Sequence, residues 1–111
     1  MRNRNVTIWV MVAVLTMAAG QGFGLTQFKD GGTHNISYII NDEVWVDYQS
    51  PGMQTTVNFL SGGSVDGDND LYAYEDSRIN ISGGAIKDYF YAYDHSQVNM
   101  SSGSVSDVFK V

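Results

Sequence analysis

Cysteine is absent from the 111 residues. That removes a disulfide framework, a thiolate nucleophile and a thiolate zinc site together. Basic side chains are scarce: six lysines and arginines stand against 12 acidic residues. Two of the six, Arg2 and Arg4, lie at the extreme N-terminus, so the remainder carries 4 basic residues against 12 acidic ones, a net charge near −8. Phosphate binding depends on lysine and arginine, so this balance excludes nucleic acid as a partner. Histidine is limited to His34 and His95, far apart and without metalloprotease spacing, so a catalytic metal centre is not expected. The single proline, Pro51, belongs to a Ser50–Pro51–Gly52 turn signal. A chain of this length holds at most one small domain. Without disulfides, that domain must draw its stability from another source.

The N-terminus has a distinct composition. Residues 2–5 (RNRN) are cationic, and Val6 to Ala19 are almost wholly apolar, interrupted only by two threonines. Gly20, Gly22 and Gly24 follow. A charged start, a short apolar run and small residues at its end predict a secretory signal peptide over residues 1–24. The run is shorter than the roughly 20 apolar residues of a membrane-spanning helix, so no stable membrane span is expected after cleavage. The location this implies is secreted, extracellular or at the cell surface.

The most informative feature is an internal repeat. Residues 57–65 read VNFLSGGSV, residues 79–86 read INISGGAI, and residues 98–105 read VNMSSGSV. An acidic turn follows each block, and the first two copies continue alike, as LYAYEDSR (71–78) and FYAYDHSQ (90–97). The extra length of the first copy is an added Leu60 and the DGDND insertion at 66–70. Each copy predicts two short strands. In the first, apolar residues alternate with asparagine; in the second, Leu71 and Ala73 share one face and Tyr72 and Tyr74 the other. The SGG motif is a corner, where glycine reaches left-handed geometry without steric cost.

A unit of about 20 residues cannot bury its own apolar face, so the copies must stack. The predicted fold is all-β: a parallel β-solenoid, β-helix-like, of about three short turns after the signal peptide, with the last turn incomplete. Its organisation reads as irregular N-terminal capping turns over 25–56 and solenoid repeats over 57–111, divided into 57–78, 79–97 and 98–111. Stacking would align Asn58, Asn80 and Asn99 as one ladder, and Tyr72 with Tyr91 and Tyr74 with Tyr93 as others. An antiparallel meander or sandwich uses similar strands and turns. It does not account for identical residue types at identical offsets.

The pattern VN(I/M)SGG(S/A)(I/V), followed by (L/F)YAYDxSQ, resembles the repeat of exported bacterial β-solenoid proteins, many of which end in a hydrophobic sorting segment. The resemblance covers about residues 31–111, including NDEVWVDYQSPG (41–52) ahead of the first copy. It implies a parallel β-helix-like fold and an extracellular or surface location, and it carries no known activity. No sorting segment is present here, which suggests a shortened member or part of a longer protein.

Candidate chemistry is limited. Asp66, Asp68 and Asp70 in the DGDND loop are the carboxylates a calcium ion would use. EF-hand spacing fails, however, because Leu71 stands where glycine is required and Ser77 where glutamate is required. A solvated turn is the simpler reading, and the same holds for His95 at its corner. Tyr72, Tyr74, Tyr91 and Tyr93 form a possible ligand face for sugar rings or another repeat protein; they equally suit a pleated surface. No serine lies in a G-x-S-x-G elbow. Glycosidase-type carboxylate pairs are numerous, but a polysaccharide-cleaving β-helix needs a groove spanning many turns. No catalytic residue and no cofactor are therefore expected. The sequence points to a non-enzymatic structural or adhesive module. The alternative is a polysaccharide- or calcium-binding module, and third comes a fragment of a polysaccharide-active enzyme. Extracellular polysaccharide, other repeat proteins and end-to-end self-association are the partners this implies.

Overall fold

The computed structural model describes residues 24–110, so the expected signal peptide, apart from its last residue, lies outside the described residues. Nine strands follow in order: β1 (Leu25–Phe28), β2 (Thr33–Ile36), β3 (Ile39–Ile40), β4 (Glu43–Val46), β5 (Thr56–Phe59), β6 (Ser64–Val65), β7 (Leu71–Ala73), β8 (Arg78–Ala92) and β9 (Gln97–Lys110). All are joined in one parallel sheet. The described chain is a β-solenoid with three sides.

The first side stacks β1, β4 and β7 on residues 90–92 of β8, with β9 beneath. The second stacks β2, β5 and residues 78–81 of β8, again with β9 beneath. The third stacks β3 and β6 on Ala85 and Ile86. The long strands β8 and β9 bend round all three sides, with register irregularities at the corners between Ile81, Ser82 and Ala85 and between Ile86 and Tyr89.

Three expectations need correction. The stack has about five turns in place of three. Each full turn also has three strand segments in place of two, because the residues around Val65 and Ile86 pair as a short side of their own. Residues 25–56, expected as irregular capping turns, carry β1 to β4 in the same register as the repeats. Their irregularity is confined to the corner between β4 and β5, which is longer than its counterpart between β7 and β8. Stacking constrains the inward residues and leaves corner length free, since a surface corner tolerates insertion at little cost.

The core is a set of columns, each built from one residue per turn. Val44, Leu71 and Phe90 form one; Ile36, Phe59 and Ile81 another; Ile40, Val65 and Ile86 a third. These side chains, with Val46, Ala73, Ala92, Val57 and Ile79, are buried. Strict alternation puts them inside, because successive side chains of a strand point to opposite faces. Burying each large aliphatic or aromatic side chain contributes about 1.5–3 kcal/mol.

Candidate functional site: the tyrosine side

On the first side, inward Leu71, Ala73, Phe90 and Ala92 leave Tyr72 and Tyr91 pointing outward, with Tyr74 and Tyr93 at the adjoining corner. The register pairs Tyr72 with Tyr91, and their ring centroids lie 5.0 Å apart at 17°. Tyr74 and Tyr93 are likewise 5.0 Å apart and nearly parallel, at 5°. That separation matches the roughly 4.8 Å between neighbouring strands, so the rings stack along the axis of the solenoid. The four tyrosines singled out in the sequence are thus brought together in two columns.

Both columns are longer than the repeat alone indicated. Trp45 sits above Tyr72 at 6.4 Å, edge-on, and Phe109 lies below Tyr91 at 5.3 Å and 20°. Tyr48 heads the second column, 4.9 Å from Tyr74 at 62°. Tyr89 leans against Tyr91 and Phe109. The signal for Trp45 and Phe109 was available: Val44-Trp45-Val46 has the same apolar-aromatic-apolar alternation as Leu71-Tyr72-Ala73, and Phe109 follows Val108 as Tyr91 follows Phe90. Tyr48 carried no such signal, because it follows Asp47 at the start of the enlarged corner.

The geometry limits what this side can do. The flat faces of the tyrosine rings are occupied by one another, so mainly ring edges and hydroxyls meet solvent. A sugar ring stacks on a free aromatic face; Tyr72, Tyr74 and Tyr91 each have ring neighbours on both sides along their columns, and Tyr93 has one on its Tyr74 side. Carboxylates border the rings. Burial, followed by the charges of Glu43 and Asp70 and the neighbouring Tyr91, pushes the Tyr72 phenol up to about 12. Burial also raises Tyr74, helped by Tyr93, Tyr48, Glu43 and Asp94. Tyr91 is raised by the same kind of desolvation and by Asp70. At the acidic corner, desolvation and the charges of Asp70, Asp68 and Asp107 raise the carboxyl of Asp88.

The carboxylates of the DGDND loop take individual partners. Asp66 lies 3.5 Å from the Lys87 ammonium. Asp70 accepts the backbone N–H of Tyr89 at 3.0 Å and faces the Tyr72 hydroxyl at 3.4 Å. Asp68 is exposed at the tip of the loop. Among the described residues, no three histidine, cysteine or carboxylate side chains are placed to hold a metal ion. The histidines are also apart. His34 bonds Asp30 at 2.8 Å and packs on Phe28, whereas His95 sits 3.6 Å from Asp76 at the same corner but further along the stack.

On the second side the asparagines form the ladder expected of them, lengthened by one rung. Asn58 donates to Asn35 at 2.9 Å, Asn80 to Asn58 at 2.9 Å, and Asn99 to Asn80 at 3.1 Å. The next corner is a glycine column. A Cβ on Gly84 would fall 2.7 Å from the Gly63 carbonyl oxygen, and one on Gly103 would strike the Gly84 carbonyl. Glycine is therefore required here by close backbone approach. Beside this column runs an open groove of about 390 Å³, edged by Ile39 and Lys87. Among the described residues, no helix is long and apolar enough to cross a membrane.

No protein-family model matches the chain, and no curated protein or solved structure shows significant similarity to it.

Proposed function

We propose that the chain is a non-enzymatic structural module, a rigid solenoid acting as spacer and contact surface at the cell surface or in the extracellular matrix. The observation that carries this reading is the destination of the outward side chains. The asparagines and tyrosines that recur from turn to turn bond and stack with their own copies in neighbouring turns. They are committed to the stack and do not converge on a cleft. The resemblance to exported bacterial repeat proteins and the signal-peptide pattern of residues 1–24 support the location. The outer edge of β9, which exposes Met100, Val108 and Phe109, supports stacking against another repeat turn or chain, because an unpaired edge is a template for pairing.

The second reading is a polysaccharide- or calcium-binding module. It draws on the carboxylates beside the aromatic columns, although the stacked rings and the partners already held by Asp66 and Asp70 weigh against it. Complementation separates the two. A host lacking the protein would be resupplied with the native chain or a Tyr91→Ala chain, each checked for β-structure by circular dichroism. As a spacer, the Tyr91→Ala chain restores surface or matrix integrity as the native chain does. If it folds and yet fails to restore, the structural reading is abandoned for ligand binding.

A further inference from the structure

The tyrosine columns hold phenols as close, nearly parallel pairs. Tyr74 and Tyr93, and Tyr72 and Tyr91, lie face to face at 5.0 Å in adjacent turns, with planes within 5° and 17° of parallel. All four are partly exposed, so a soluble oxidant can reach them. We propose that these two pairs are sites of oxidative cross-linking, at which a haem peroxidase using hydrogen peroxide joins adjacent turns through dityrosine.

Each phenol gives up one electron and its hydroxyl proton, leaving a phenoxyl radical with spin on the oxygen and the ortho carbons. Two radicals join by overlap of π orbitals that project perpendicular to the rings, forming one carbon–carbon bond between ortho positions. Each joined carbon then gives up its proton and each oxygen regains one, restoring two aromatic phenols. The two electrons and two protons released convert one hydrogen peroxide into two waters.

Parallel stacking presents the reacting orbitals to each other, and the sheet register holds them there before oxidation. Pre-set proximity and alignment of this kind accelerate a reaction strongly. The same columns contain an internal control. Tyr48 and Tyr74 are as close, at 4.9 Å, but their planes cross at 62°. The side-by-side pairs, Tyr72 with Tyr74 and Tyr91 with Tyr93, are further apart at 6.3 and 6.4 Å. Orientation therefore selects the partners. The product would clamp two adjacent turns together through two covalent links in a chain that has no disulfide to do so.

The test uses the dilute full chain treated with a haem peroxidase and hydrogen peroxide, once folded and once in concentrated urea. Cross-linked peptides are then mapped by mass spectrometry. In the folded sample, Tyr72–Tyr91 and Tyr74–Tyr93 links, each marked by the loss of two hydrogens, should dominate over Tyr48–Tyr74. In urea the links should scatter. Tyr93→Phe keeps the ring but not the phenol, and should abolish the second link while leaving the first. Three results would overturn the proposal: a Tyr48–Tyr74 yield equal to that of the stacked pairs, the same pattern in folded and unfolded chain, or links only between molecules. If Tyr93→Phe fails to fold, the comparison of the native chain with and without urea decides alone.

Discussion

Asp47 and Thr55 close the longest corner of the solenoid with a paired contact. The carboxylate accepts the Thr55 backbone N–H at 2.8 Å and the Thr55 hydroxyl at 2.6 Å, and both residues are buried. The same hydroxyl oxygen accepts the Gly31 backbone N–H at 2.9 Å, tying this corner to the turn above. Asp47 also has φ of 57°, a left-handed conformation that aspartate tolerates better than most residues. Asp47→Ala leaves two buried donors without a partner, each costing about 1–3 kcal/mol. The midpoint of urea unfolding should fall markedly, and Asp47→Asn, which keeps one acceptor oxygen, should recover part of the loss. An unchanged midpoint for Asp47→Ala would remove this corner from the stabilising set.

Two glycines separate close approach from backbone conformation. A Cβ on Gly63 would collide with the backbone carbonyl of Ile36, whereas Gly52 has open space around it but φ of +82°. Gly63→Ala must push two turns apart and should cost about 1–3 kcal/mol or more, the usual penalty for overpacking. Gly52→Ala should cost about 1–2 kcal/mol, the strain of a left-handed alanine. Thermal melting of both variants checks the order, and a larger loss at Gly52 would contradict the packing of the glycine column.

Asn80, like Asn58, is an inner rung that both gives and receives. Asn80→Ala breaks two amide hydrogen bonds on a partly exposed face and should lose about 1–2 kcal/mol. Asn80→Asp should be worse at neutral pH, because an ionised carboxylate has no hydrogen to offer the Asn58 oxygen. The fold then favours the protonated form, which raises the new carboxyl group above its unfolded value. The deficit relative to the native chain should therefore shrink as pH falls through the carboxylate range. Urea titrations of the native and variant chains at several pH values measure that difference. A deficit independent of pH would show that the ladder is not read through this amide.

Alkaline pH tests the tyrosine columns. The Tyr72 phenol is raised from its ordinary value of 10 to about 12, by burial first and then by Glu43, Asp70 and Tyr91. Because the folded value lies above the unfolded one, its contribution is complete below pH 10 and is lost as pH climbs towards 12. Spectrophotometric titration should show a group of late-ionising phenols that revert to ordinary behaviour in urea. Tyr72→Phe should reduce the loss of stability between pH 10 and 12. Ordinary titration of every tyrosine in the folded chain would contradict the stacked, acid-bordered arrangement.

The parallel stack, the inward columns and the pairing of Tyr72 with Tyr91 were legible because period-2 alternation and identical offsets encode register directly. Val57, Ile79 and Val98 fall into one column at the spacings read from the sequence. The two upper turns were not legible. Val44 and Val46 share the alternation of Leu71 and Ala73 but none of the Asn-Ser-Gly-Gly signature, and the corner after Val46 hides the offset. The short third side escaped because it has only two residues per turn, too few to show periodicity. The carboxylates of the acidic loop were visible as residue types. The partners of two of them were not, since Asp66 meets Lys87 and Asp70 meets Tyr89, each about 20 positions away.

Uniform stacking also sets how such a molecule can change over evolutionary time. Each turn touches only the ones directly above and below, and residues 79–97 lie between layers of matching outline. Duplicating or excising that segment would alter the height of the rod by one strand spacing, roughly 4.8 Å, while the cross-section and its surface chemistry stayed as they were. Reach is therefore inherited in whole steps, and a gene lineage can lengthen or shorten the rod without inventing a new interior.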